Sequence, residues 1–199
     1  LKDPLPVDRA AGFGQSPQEI TFVEASGSPT NLLITGVGEG FFETLGVPLV
    51  IGPGFTHEDH VPGAGPMQAV GILSHRIWTN MFARDPSVAG RILRTVEIPT
   101  GICVAGVAAP DIDLPRGTDL WLSARSNPQD FGHGLDVVLR AKAGTNIDTL
   151  RERADVLLTE QAKTSPTDVN RLFVMRPLAT AIVGDLGPML LIVFGATGL

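Results

Sequence analysis

The stretch NLLITGVGEGFFETLGVPLVIGPGF, residues 31–55, decides how the rest of the chain is interpreted. Residues 31–37 predict an apolar strand, and a short helix follows in which Phe41 and Leu45 share one face and Gly46 marks the end. The glycines between strand and helix suggest a phosphate-binding loop. A dinucleotide fingerprint, however, needs a third glycine where this chain has Phe41, whose ring would keep helix and strand apart. We therefore predict a tight strand-to-helix turn without a ligand.

Composition narrows the class of protein. The chain has 199 residues, 43% of them apolar, and a net charge of -6, which indicates a globular protein rather than a disordered one. Its basic residues are scattered along an acidic chain, so nucleic acid is not an expected partner. Cys103, the single cysteine, cannot form an internal disulfide and lies in an apolar run, where we expect it to be a small buried side chain.

Hydrophobic periodicity predicts an α+β fold built from two small units. The predicted strands cover residues 19–25, 31–37, 67–73, 91–98, 101–108 and 170–178. A further strand starts near residue 134 and alternates over Leu135, Val137 and Leu139. Ser74 is placed to cap the helix that follows it. In this arrangement the middle of the chain forms a unit inserted between an early hairpin and a late strand–helix–strand.

The late helix is predicted over residues 146–163, with Thr145 or Asn146 as its N-cap. Its apolar stripe consists of Ile147, Leu150, Ala154, Leu157 and Gln161. Beyond Asp185 no charged residue appears up to Leu199. The run is shorter than the roughly 20 residues of a full span, so it predicts either a buried terminal helix or the first turns of a transmembrane helix. Its glycines and the lack of a polar face favour the second, and we interpret residues 186–199 as the start of a transmembrane helix.

The segment THEDH, residues 56–60, is the most plausible place for a metal. His57 and His60 are three positions apart, whereas two zinc ligands on an α-helix are usually four apart. A simpler interpretation is a turn capped by Thr56 with acids in its first positions. A soluble enzyme, or a domain that binds a metal or small molecule around His57, Asp59 and His60, stays open as the alternative function.

Other combinations fall short of a catalytic or cation site. Asp111, Asp113 and Asp119 lack the spacing of a calcium loop, and Ser74-His75 lacks a neighbouring acid. We therefore predict no catalytic, cofactor-binding or metal-binding residues, and no cofactor.

Four segments, taken in order, resemble the MacB-like periplasmic core domain of ABC transporter permeases of the FtsX/MacB type. They are FFETLGVPLVIGPGFTHED, AVGILSHRIWTNMFARDPSVAGRIL, CVAGVAAPDIDLP and GDLGPMLLIVFGATGL. The resemblance covers roughly residues 19 to 199. Pro53 departs from the family pattern, because the family usually has Arg at this position, directly after the glycine that is Gly52 here.

The resemblance implies a porter-like α/β subdomain with a smaller, sabre-like α/β subdomain inserted into it. The implied division is a disordered lead-in over 1–18, the porter-like part over 19–55 and 130–185, the insertion over 56–129, and a truncated membrane helix over 186–199.

The resemblance also implies a non-enzymatic domain of a cell-membrane transporter that faces the periplasm or the extracellular side. Such a domain acts in efflux or mechanotransmission. Its implied partners are a cytoplasmic ATP-binding subunit or domain, reached through the membrane helices, a second permease, and a periplasmic adaptor protein or cargo.

Overall fold

The structure is a computed structural model that describes residues 5–23, 28–63, 68–125 and 135–164, together with Leu178. The chain divides into two units, one formed by Val7–Arg140 and the other by Leu1–Pro6 with Ala141–Leu199. Each unit is described by itself below.

Nine strands and three helices lie in the described ranges. The strands are β1 Val7–Gly14, β2 Gln18–Phe22, β3 Thr30–Val37, β4 Leu49–Ile51, β5 Ala69–Leu73, β6 Ile92–Leu93, β7 Ile102–Ala108, β8 Leu120–Ser123 and β9 Leu135–Ala141. The helices are α1 Phe41–Leu45, α2 His75–Phe82 and α3 Ile147–Thr164, with short 3-10 turns at His57–His60 and Pro86–Val88. This mixture, with few helices, is the predicted α+β class.

All nine strands belong to one mixed sheet, in which the order of neighbours is β4-β7-β5-β8-β3-β1-β9. The predicted hairpin is present, because β2 runs antiparallel to β3 from Gln18↔Ile34 to Phe22↔Thr30. On its other edge β3 pairs with β8 in parallel. Strand β5 lies between β8, which is antiparallel to it, and β7, which is parallel to it.

The sheet closes on itself through the residues that follow β6. Strand β6 pairs with β7, and Thr95, just beyond it, forms a bridge to Phe22 of β2. The Val96 amide donates to the Thr21 carbonyl over 3.0 Å, and the Glu97 carboxylate accepts from the Thr21 amide and hydroxyl. Strands β2, β3, β8, β5, β7 and β6 with its extension thus form a ring in which each has a neighbour on both sides.

The apolar core lies against this ring and is completed by α2. Its buried members are Ile20, Phe22, Leu32, Ile34, Leu73, Ile77, Trp78, Phe82, Val88, Leu93, Ile102, Val104, Val107 and Leu120. Helix α2 begins as predicted, because the Ser74 hydroxyl oxygen accepts from the Ile77 amide over 3.2 Å.

The structure differs from the expected disordered lead-in over residues 1–18, because Val7–Gly14 forms β1. Ala11 and Phe13 of this strand are buried, and Phe13 pairs with Val37 of β3. The glycines at positions 12 and 14 read as loop residues locally. Their strand conformation depends on pairing with strands far along the chain, and the local sequence alone does not predict such pairing.

Two other strands differ in detail from the prediction. Val138 of β9 is buried, whereas Val137, predicted to lie on the apolar face, is 62% exposed. The strand expected over 91–98 is reduced to two residues, because the Ile98 amide donates to the Thr95 hydroxyl in a turn that ends it.

In the second unit, α3 agrees with the predicted helix over 146–163. Of the two predicted caps, Asn146 is the one used: its side-chain oxygen accepts from the Asp148 amide over 2.8 Å. Leu150 and Ala154 of the predicted stripe are buried, whereas Ile147, in the first turn, is 41% exposed. The Leu157 and Gln161 side chains and the membrane helix predicted over 186–199 lie outside the described residues. So does the strand predicted over 170–178, except for Leu178, which is helical rather than extended.

Among the helices of the described residues, none combines the length and apolar content needed to cross a bilayer. The division into porter-like and inserted subdomains stays a prediction, and the sheet takes strands from both of the predicted parts.

Candidate functional site

The glycines after β3 build a close backbone contact. The Gly38 amide donates to the Gly12 carbonyl over 2.8 Å, and a Cβ at Gly38 would lie 3.3 Å from the Gly12 backbone. Gly40, with φ of 75°, begins α1, and Gly46, with φ of 71°, ends it. These contacts agree with the predicted strand-to-helix turn, in which the glycines serve packing.

A continuous row of rings runs from β1 to the 3-10 turn at His57–His60. Ring centroids are 5.6 Å apart between Phe13 and Phe41, 5.4 Å between Phe41 and Phe42, and 6.2 Å between Phe42 and Phe55. The row ends at His60, which meets Phe55 edge to face at 5.3 Å. Such tilted contacts are favourable for aromatic rings and hold α1 and the turn together.

Beside this row lies a cavity of about 710 Å³, which we call the His60 cavity. It lies within the unit Val7–Arg140. Phe42, Phe55, Leu49 and Ile72 form apolar parts of its wall. Its charged and ionisable lining side chains are Arg9, Glu39, Glu43, His57 and His60.

The structure separates the roles of the residues in THEDH. Asp59 closes the turn, because its carboxylate accepts from the Thr56 amide over 2.7 Å and from the Thr56 hydroxyl over 2.9 Å. His57 places Nδ1 3.0 Å from the Glu39 carboxylate at the exposed rim. In a 3-10 turn, positions three apart eclipse one another, so His57 and His60 both face the His60 cavity.

His60 is the unusual member of the cavity wall. It is only 7% exposed, and neither ring nitrogen makes a regular hydrogen bond within the described part of the chain. Burial lowers the pKa of His60 below 6.5, while the Ala124 backbone and the carboxylates of Glu39, Asp59 and Glu43 oppose that shift. At neutral pH the ring is uncharged and offers one N–H donor and one nitrogen acceptor.

Two opposite charges on the cavity rim lack a partner among the described residues. The side chains of Arg9 and Glu43 make no hydrogen bond or ion pair with the residues that the structure describes, and they do not pair with each other. Glu43 acts electrostatically on His60 from α1. Sequence reasoning did not find Arg9, because its strand had been assigned to the lead-in.

The described residues do not assemble His57, Asp59 and His60, the alternative site, into a set of metal ligands. Asp59 is used by the turn, and across the described ranges no group of three or more His, Cys, Asp or Glu side chains is arranged to hold a metal ion. Ser74 caps α2 rather than facing an acid, and the Asp113 carboxylate accepts from the Gly117 amide within its loop. Cys103 is partly buried in β7.

Asp119 has a structural position between β3 and α2. Its buried carboxylate accepts from the Leu33 amide over 2.9 Å and pairs with Arg76, whose side chain is 56% exposed. Its backbone carbonyl accepts from the Ser74 amide over 2.9 Å. Asp119 therefore ties the start of β8 to β3 and to the cap of α2.

Comparison with known proteins gives one family. The family model described as the MacB-like periplasmic core domain matches residues 1–157. The match begins before the quoted segments and ends before the fourth of them, GDLGPMLLIVFGATGL. No curated protein matches the chain.

Three solved structures share the fold at 16% sequence identity. The periplasmic region of MacB from Actinobacillus actinomycetemcomitans has a TM-score of 0.59, with 80% of this chain and 69% of that chain covered. A domain of a putative permease protein from Porphyromonas gingivalis has a TM-score of 0.57, with 82% and 72% covered. The extracellular domain of the noncanonic ABC-type transporter YknZ from Gram-positive bacteria has a TM-score of 0.51, with 73% and 71% covered.

Proposed function

Because this chain belongs to the family of MacB-like periplasmic core domains, we propose that it transmits ATP-driven movement of a permease to cargo or an adaptor protein outside the cytoplasm. The family is a transporter domain rather than an enzyme, and its members are periplasmic or extracellular parts of ABC transporter permeases. Such permeases work with a cytoplasmic ATPase.

The closed ring of strands carries this proposal. A domain that transmits a displacement must move as one body, and a ring has no free edge strand within it that could separate first. Its closing contact, Phe22↔Thr95, is reinforced by the hydrogen bonds from Thr21 to Glu97. These bonds hold the ring at the point where two segments far apart in sequence meet.

The remaining parts of the proposal concern partners. We expect the membrane helices of the full transporter to connect this domain to the ATP-binding subunit and to pair two permeases. An adaptor or a cargo molecule then contacts the outer domain, in efflux or in mechanotransmission. The net charge of -6 favours a partner with a basic surface.

The movement can be measured in the whole transporter, reconstituted in a bilayer. A donor dye is attached to Val50→Cys, an exposed position on β4, after Cys103→Ala has removed the native thiol. Energy transfer to acceptor lipids reports the height of the domain above the membrane. We expect this transfer to change when ATP binds and to return after hydrolysis.

A dye pair within the domain is the matched control. Val50 lies on β4 of the sheet, and Val96 follows β6 and hydrogen-bonds to β2; both side chains are exposed. Dyes at Val50→Cys and Val96→Cys should therefore keep their mutual distance through the ATP cycle. Transport that continues without any change in transfer to the lipids would exclude the proposed movement. A change in the internal distance would exclude a rigid domain.

A further inference from the structure

The size and wall of the His60 cavity suit a small molecule. Its volume of about 710 Å³ falls within the range of roughly 300–1,000 Å³ that is typical of ligand sites. Phe42 and Phe55 provide aromatic surface, and Leu49 and Ile72 add aliphatic surface. An apolar body would therefore be removed from water on binding.

The charges of Arg9 and Glu43 on the cavity rim indicate which charged groups the ligand should carry at its ends. Arg9 lies on β1 and Glu43 on α1, and both line the same cavity without pairing with each other. A ligand with a carboxylate at one end and an ammonium at the other would pair with both. Glu39 is already shared with His57, so Glu43 is the free acceptor for the ammonium.

His60 supplies the third observation. Within the described residues neither ring nitrogen makes a hydrogen bond of regular geometry, although the Ala124 backbone interacts with the ring, and such a buried polar side chain is an exception in folded proteins. Its uncharged ring carries one donor and one acceptor, which match the carbonyl and N–H of a peptide bond. Both nitrogens are buried in the structure, so this contact requires the His60 ring to turn towards the cavity when the ligand binds.

We propose that the His60 cavity binds a short apolar peptide through its free ends, with the amino group at Glu43, the carboxylate at Arg9 and the backbone amide at His60. The proposal goes beyond the coupling function, because it concerns a site within one unit of the domain. It does not require the membrane, ATP or a second permease.

The test uses the full chain and three probes: leucyl-phenylalanine, its N-acetylated form and its C-terminal amide. Calorimetry gives the dissociation constant of each. We expect saturable binding of the free dipeptide and a loss of about fivefold on capping either end, as for a charge pair at a solvated rim. Glu43→Gln should abolish the penalty for acetylation alone, and Arg9→Gln should abolish the penalty for amidation alone.

Two variants complete the design. His60→Phe keeps the ring contact with Phe55 and should weaken all three probes equally, because the lost partner is the peptide bond. Glu58→Gln, an exposed carboxylate on the same turn and outside the cavity wall, should bind like the unchanged chain.

No saturable binding of the free dipeptide by the folded chain, equal affinity for the capped and free forms, or the same losses in Glu58→Gln would each overturn the proposal. Because the capped peptides test the unchanged chain, the result does not depend on whether a variant folds. None of these outcomes alters the energy-transfer result expected for the transporter.

Discussion

Replacement of Asp119 by alanine tests whether the junction of β3, β8 and α2 stabilises the domain as the geometry indicates. The substitution removes the acceptor of the Leu33 amide and leaves Arg76 without its carboxylate partner. The backbone bond from the Ser74 amide to the carbonyl of position 119 is kept. The change is therefore confined to two side-chain interactions.

The two interactions contribute different amounts to the free energy of unfolding. Leaving the Leu33 amide without a partner costs about 1–3 kcal/mol, since that group lies partly away from water. The pair with Arg76 adds about 0–1 kcal/mol, because more than half of the Arg76 side chain is exposed and the interaction is screened. Together they lead us to expect that Asp119→Ala lowers the free energy of unfolding by about 1–4 kcal/mol.

Urea unfolding of the chain measures this loss. Trp78 and Trp121 are buried, so their fluorescence reports the cooperative transition. Asp111→Ala, which removes an exposed carboxylate from the neighbouring loop, is the control and should change the free energy of unfolding by less than about 0.5 kcal/mol.

Repeating Asp119→Ala in a chain that already carries Arg76→Ala separates the contribution of the Leu33 hydrogen bond from that of the Arg76 pair. There, Asp119→Ala should still cost about 1–3 kcal/mol, because the Leu33 amide loses its acceptor regardless of Arg76. A cost near zero in that background, or a cost in the unchanged chain no larger than that of Asp111→Ala, would refute the reasoning.

Three further outcomes can be checked by the same unfolding assay. Gly52→Ala should cost well over 2 kcal/mol, because its Cβ would lie 2.2 Å from a backbone carbonyl oxygen, whereas Gly90→Ala, at nearly the same positive φ but in open space, should cost about 1 kcal/mol. Ser74→Ala should cost about 1 kcal/mol by removing the cap of α2, whereas Ser123→Ala, whose hydroxyl has no partner among the described residues, should cost almost nothing. Burial lowers the pKa of His60, so as the pH falls from 7 the unfolded chain binds a proton before the folded chain does, and the free energy of unfolding decreases. This loss of stability begins near pH 6.5 and ends below the lowered pKa. It should be smaller in His60→Phe when the urea midpoints at pH 7 and about pH 5 are compared.

Elements that depend on neighbouring residues were predictable from the sequence. The β2–β3 hairpin, the end of α1 at Gly46, the cap of α2 at Ser74 and the start of α3 at Asn146 all rest on contacts within a few positions. The α+β class followed from these elements and is confirmed.

Long-range pairing explains what the sequence did not show. Strand β1 contains Gly12 and Gly14 and becomes a strand because β3 and β9 lie on either side of it. The same holds for the face of β9, where Val138 rather than Val137 is buried. A residue's burial in a strand depends on which sheet face meets the core, and alternation alone allows either face.

The sequence predicted only part of the candidate site, namely the segment that contains His57 and His60. The spacing of His57 and His60 was compared with the four-residue spacing of zinc ligands on an α-helix, whereas these residues form a 3-10 turn in which both line one cavity. Arg9 could not be associated with them before β1 was known. The short segment THEDH was the correct place to look, but its partners come from β1 and α1.

The closed ring of strands also has a consequence for synthesis and export. Strand β8 is the last of the ring strands along the chain and stands between β3 and β5. Until Leu120–Ser123 has emerged, β3 and β5 therefore each keep an unpaired apolar edge, and Phe22 can meet Thr95, about 70 residues away, only by closing a long loop. We expect the nascent domain to need protection from aggregation through most of its translation.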